Sequence, residues 1–146
     1  MKRTLLKMVV AVVLASLAAH ADEGWTENYQ EALARAKAEK KVIFADFAGS
    51  DWSKDGKKRE AEVFANQEFK DYAAKYLVLL RLDFPKDKVL PKAVQEQNND
   101  LRSKFGVRSL PATVILDSEG NLLGRWEGYA GGGPARTIAK VEACRQ

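Results

Sequence analysis

The chain has 146 residues, with 24 lysines and arginines, 20 aspartates and glutamates, one histidine and one cysteine. That length suits one domain with one core. One cysteine cannot close a disulfide within the chain, and one histidine leaves no basis for a histidine-built zinc site or a Ser-His or Cys-His nucleophile.

Lys2, Arg3 and Lys7 precede the apolar run Met8 to Ala19, and Ala19-His20-Ala21 offers a small-x-small cleavage site. This is the pattern of a secretory signal peptide. The run is too short to cross a bilayer as a stable helix, and no cysteine follows it to carry a lipid. Residues 1–21 are therefore expected to be removed after Ala21, leaving one exported domain, residues 22–146, periplasmic or secreted and free of the membrane. His20 leaves with the signal. Three of the 24 cations lie in that segment and none of the 20 acids, so the remainder carries a net charge of +1 and nucleic acid is not an expected partner.

Trp25 to Lys40 reads as a helix, with Thr26 or Asn28 as its cap and alanines through EALARAKAEK. KVIFADF is a short buried strand followed by the turn AGSD, and Ser53 to Phe64 is a charged helix. Asn66 caps a further helix, in which Phe69, Tyr72, Ala73 and Tyr76 recur at helical spacing. YLVLLRLDF is a second buried strand ended by Pro85, then comes a lysine-rich loop to Pro91 and a helix from Val94 to Lys104 closed by Gly106. ATVILD and LLGRWEGY read as an antiparallel hairpin around Ser118 to Asn121, and Pro134 opens a last helix after Gly131 to Gly133. Strands separated by helices call for parallel crossovers, so the expected fold is α/β, a mixed sheet with helices on both faces.

The stretch DWSKDGKKREAE, Asp51 to Glu62, fits the skeleton of a calcium-binding EF-hand loop, with Asp51, Ser53 and Asp55 at alternate positions, Gly56 sixth and Glu62 twelfth. Such a loop needs a helix before it, and KVIFADF is a strand. Lys57, Lys58 and Arg59 would also crowd the cation. No metal is expected.

DFAGSDWSKDGKK resembles the thioredoxin superfamily, in exported members of which Asp-Phe at a strand end is followed by Gly-Ser-Asp-Trp-Cys-x-x-Cys-Lys-Lys. GVRSLPATVILD is similar to the family's cis-proline loop, and GRWEGY to its late hairpin. The resemblance implies a thioredoxin fold preceded by an N-terminal helix. It places Ser53 at the attacking cysteine position, Gly56 at the resolving one, Pro111 as the cis residue and Asp46 as the buried acid. No cofactor is implied.

Thiol–disulfide exchange needs a thiolate to attack sulfur and a second thiol to resolve the mixed disulfide, which a serine hydroxyl cannot supply. Ser53 is instead expected to cap the helix that follows it. Asp46 could be a retained acid, its pKa raised by desolvation, but an inherited carboxylate bound to backbone or water is the plainer reading. Trp52 is either a contact residue at the site's edge or a cover for the end of the sheet, and Trp126 is expected in the core. Lys54, Lys57, Lys58 and Arg59 could form an anion site, but are read as a solvated helix face balanced by Glu60 and Glu62.

The reading reached is a non-catalytic module whose groove, at Trp52, Ser53, Leu110 and Pro111, binds an unidentified protein or extended peptide. Two alternatives stand beside it. One is a thiol–disulfide oxidoreductase acting through Cys144 or a partner's thiols, and the other is a structural component of an envelope assembly. Cys144 is expected to be a quiet free thiol, able at most to form an intermolecular disulfide or accept a cap.

Overall fold

The computed structural model describes residues 24–146, so the expected signal peptide and its cleavage site lie outside the described residues. Strand β2, Val42–Ala48, is the first apolar run of the described residues, and six of its seven residues are buried. It lies in the middle of a five-stranded sheet of order β1-β3-β2-β4-β5, where β1 is Trp25–Thr26, β3 is Leu77–Asp83, β4 is Ala112–Leu116 and β5 is Leu122–Glu127. β1 and β2 run parallel to β3, whereas β4 runs antiparallel to both β2 and β5. This is the mixed sheet of a thioredoxin fold.

The first expected helix is shorter at its start than the sequence suggests. Trp25 and Thr26 pair with Leu79 and Leu80 as an edge strand, and helix α1 covers only Tyr29–Glu39. Its cap is Asn28, whose side chain accepts from the Glu31 N–H at 2.9 Å. The fourth helix, α4, begins at Lys92 and ends at Lys104, after which Gly106 takes φ +64°.

The charged helix after the turn also divides. Helix α2, Lys54–Arg59, continues into a π-helical turn, Glu60–Phe64, closed by the Ala65 N–H on the Glu60 carbonyl at 2.9 Å. Helix α3, Gln67–Tyr76, and the last helix, α5, Gly133–Arg145, complete the chain.

Alternation along the strands gives the sheet two different faces. On one, Ile43, Ala45 and Phe47 of β2 join Val78, Leu80 and Leu82 of β3, and α1 and α4 cover them through Ala32, Ala36, Leu101 and Phe105. On the other, Trp25, Phe44, Phe64 and Phe69 pack edge-on or tilted around the π turn and α3, with Val141 of α5. Trp126 is partly buried against this second cluster.

Candidate functional site

Asp46 continues the second face along β2 from Phe44, and register sets its neighbours. It lies opposite Arg81 of β3 and Thr113 of β4, so one row across the sheet reads Arg81, Asp46, Thr113. Arg59 of α2 lies over that row. Its guanidinium donates to Asp46 Oδ1 and, at 2.7 Å, to the Thr113 hydroxyl. Arg81 Nε stands 3.5 Å from Asp46 Oδ2, and its Nη2 donates to Glu60 at 2.9 Å. Asp46 and Arg59 are each 2% exposed.

Two expectations are corrected here. Asp46 binds the guanidinium groups of Arg59 and Arg81 where backbone or water was expected. Arg59 does not belong to a solvated face: Gly56, Arg59 and Val63 fall at helical spacing on the inward side of the segment, which brings Arg59 onto the sheet. An arginine between two inward positions was the available signal. Arg59 Nε is buried without a hydrogen-bond partner, and the side chain lines a cavity of about 290 Å³ shared with Asp46, Gly56, Lys57 and Arg81.

Above this row, the first turn of α2 meets the loop before β4. The Ser53 hydroxyl accepts from the Gly56 N–H at 3.0 Å, and Ser53 is 4% exposed. A Cβ on Gly56 would stand 3.2 Å from Ser53 Cβ and 3.9 Å from Pro111 Cβ. Disulfide-linked residues hold their Cβ atoms about 3.5–4.5 Å apart, so positions 53 and 56 keep this spacing to within a few tenths of an ångström. The Leu110–Pro111 peptide bond is cis. Among the described residues, neither the N–H nor the C=O of Leu110 has a hydrogen-bond partner, whereas the Pro111 carbonyl accepts from Gly128 N–H at 2.7 Å. Glu127 holds the loop from its far side, accepting from Arg108 N–H at 2.7 Å and from the Ser109 hydroxyl at 2.9 Å. Those bonds, the backbone one first, hold the Glu127 carboxyl below its ordinary pKa.

Trp52 forms the other wall. Its indole N–H donates to the Phe84 carbonyl at 2.8 Å, Gly49 lies so close that a Cβ there would overlap the ring, and Lys86 Nζ sits 4.2 Å above the ring centre. Trp52 nevertheless remains 38% exposed. Beside it, Asp51 accepts from the N–H groups of Lys86 and Asp87, at 3.0 and 2.8 Å, which lowers its pKa. The first ligand position of the calcium skeleton is thus already filled by backbone donors.

Cys144 is remote from this end. Along α5 it stands roughly 16 Å from Gly133, at 1.5 Å per residue. Its sulfur packs against β5 so tightly that a Cβ on Gly124 would overlap it, and burial pushes the thiol pKa up. Among the described residues no group of histidines, cysteines and carboxylates could hold a metal ion, and no helix is long and apolar enough to cross a membrane.

The thioredoxin-like domain family matches residues 29–142. A protein of Chlamydia pneumoniae named disulfide bond reductase DsbH is 34% identical over 117 residues, which cover 80% of this chain and 70% of that protein. A solved structure titled DsbH oxidoreductase superposes with a TM-score of 0.77 at 31% identity, covering 85% of each chain. A thioredoxin from Thermus thermophilus shares the fold, with a TM-score of 0.60 at 18% identity over 81% of this chain and 83% of its own. With the sheet order and a family match over most of its length, this chain belongs to the thioredoxin-like domain family.

Proposed function

We propose that the protein is an exported, non-catalytic binding module that holds an extended segment of a protein or peptide in the groove between Trp52 and Pro111. The observation that carries this reading is Leu110. Its free N–H and C=O stand beside Pro111, where an incoming extended backbone gains two hydrogen bonds without displacing any made within the protein. Trp52 and the capped first turn of α2 supply the facing wall.

The name of the Chlamydia pneumoniae relative speaks of disulfide bond reduction, and that chemistry needs a thiolate and a resolving thiol. Here the two positions hold a neutral hydroxyl, engaged as a helix cap, and a glycine. Cys144 lies at the other end of α5, and its raised pKa reduces the thiolate available at neutral pH.

An insulin-reduction assay with a dithiol reductant tests the reading. The protein and its Cys144→Ser variant should both run at the background rate, while Ser53→Cys with Gly56→Cys should form an internal disulfide and show turnover. Catalysis by the unaltered protein that disappears in Cys144→Ser would overturn the proposal.

A further inference from the structure

Most of the acids that the sequence places around the groove are committed inside the protein. Glu60 is taken by Arg81, Glu62 faces the Tyr129 hydroxyl, Asp51 is held by two backbone amides, and Glu127 is held by the loop before Pro111. Glu60 and Glu62 therefore do not balance the cations of α2, contrary to the sequence expectation. Among the described residues, Lys54, Lys57 and Lys58 are exposed and without an ion pair. So are Lys86, over Trp52, and Arg108, two residues before Leu110. Of the acids on these segments, only Asp55 and Asp87 lack such bonds among the described residues. Elsewhere many cations are matched, as in Arg35 with Glu39, Lys37 with Glu119, Lys92 with Glu96 and Arg145 with Glu142.

We infer that the groove selects an acidic extended peptide, one whose side chains alternate between apolar residues facing the groove and carboxylates facing this cationic rim. The inference rests on the binding reading above and specifies its partner. An extended strand presents carboxylates on one side at every second residue, the pattern needed to meet lysines on one wall and an arginine on the other. Charges arranged in this way raise the encounter rate and discriminate between partners. The domain after the expected cleavage carries a net charge of only +1, which favours a peptide over nucleic acid.

The test uses labelled peptides alternating valine with glutamate, with glutamine or with lysine, and fluorescence anisotropy at low and physiological salt. The glutamate peptide should bind about tenfold or more tighter than the glutamine peptide at low salt, and the gap should narrow as salt screens it. Replacing Lys54, Lys57 and Lys58 together by glutamine should remove most of the gap. Equal binding of the glutamate and glutamine peptides would overturn the inference and leave the binding module standing. Binding of neither would overturn both. Displacement of the glutamate peptide by a single-stranded oligonucleotide at equal concentration of charge would show a general polyanion surface, and would also overturn the inference.

Discussion

The two faces of the sheet are packed from different materials. Among the described residues, the buried cluster under α1 and α4 is aliphatic apart from Phe47 and Phe105 and contains no charged side chain. The face under α2, the π turn, α3 and α5 carries an aromatic cluster and, at its end beneath Ser53 and Gly56, a buried row of charges. The first face acts as scaffold, stable chiefly through apolar burial. The second combines burial with paired charges whose cost depends on every partner being present, while Leu110 of the groove packs against the first.

Removing one partner from the charged row should show the largest contrast. Asp46→Ala leaves Arg59 buried and unpaired, and should cost about 3–5 kcal/mol in urea unfolding. Combining Asp46→Leu with Arg59→Met should recover most of that loss, since a buried pair replaced by apolar groups of similar size is often close to neutral. On the scaffold face, Leu116→Ala should cost about 2–5 kcal/mol, with no compensating substitution of a charge partner. A double variant no more stable than Asp46→Ala would show that the row does more than compensate charge.

Helix caps on the two sides of the sheet sharpen the comparison at a smaller scale. Ser53→Ala and Asn28→Ala each remove an N-cap acceptor, at about 0.5–2 kcal/mol. Ser53 is 4% exposed, whereas the Asn28 cap bond is at the surface, where water can replace the lost oxygen. The Ser53 change should therefore be the costlier of the two in thermal unfolding, and equal losses would contradict the burial of the α2 cap.

The smallest effect expected is on pH dependence. Asp51 and Glu127 hold depressed pKa values through backbone donors on the two loops that border the groove. A carboxyl with a lowered folded pKa contributes its full stability above its unfolded pKa of about 4, and that contribution is lost as pH falls through the folded value. Asp51→Asn and Glu127→Gln should each flatten the fall in Tm below about pH 4 and leave the profile above pH 6 parallel to that of the unaltered protein. An unchanged acid limb in both variants would mean that these loops do not contribute to it.

Much of the molecule is legible in the chain. The apolar runs at Val42–Ala48, Leu77–Asp83 and Ala112–Leu116 are strands, and Asn66 and Ser53 cap the helices that they precede. These are local signals, set by side-chain alternation and by the competition of short polar side chains for backbone donors. β1 was not legible, because a two-residue strand has no period to read. Its pairing comes from packing Trp25 against Phe44 and Phe64.

The chain by itself determined that no dithiol exists at Ser53 and Gly56, that Asp46 lies on an apolar strand, and that the elements follow a helix–strand order requiring a mixed sheet. Only the tertiary structure decided the fate of the charges. Whether Arg59 meets solvent or Asp46 depends on how α2 and its π turn are rotated over the sheet, and whether Asp46 meets Arg81 and Thr113 depends on the register of three strands. Both are relations between segments distant in sequence, with no local periodicity to announce them. A charge left exposed on the groove's rim can be recognised only after the paired ones have been assigned.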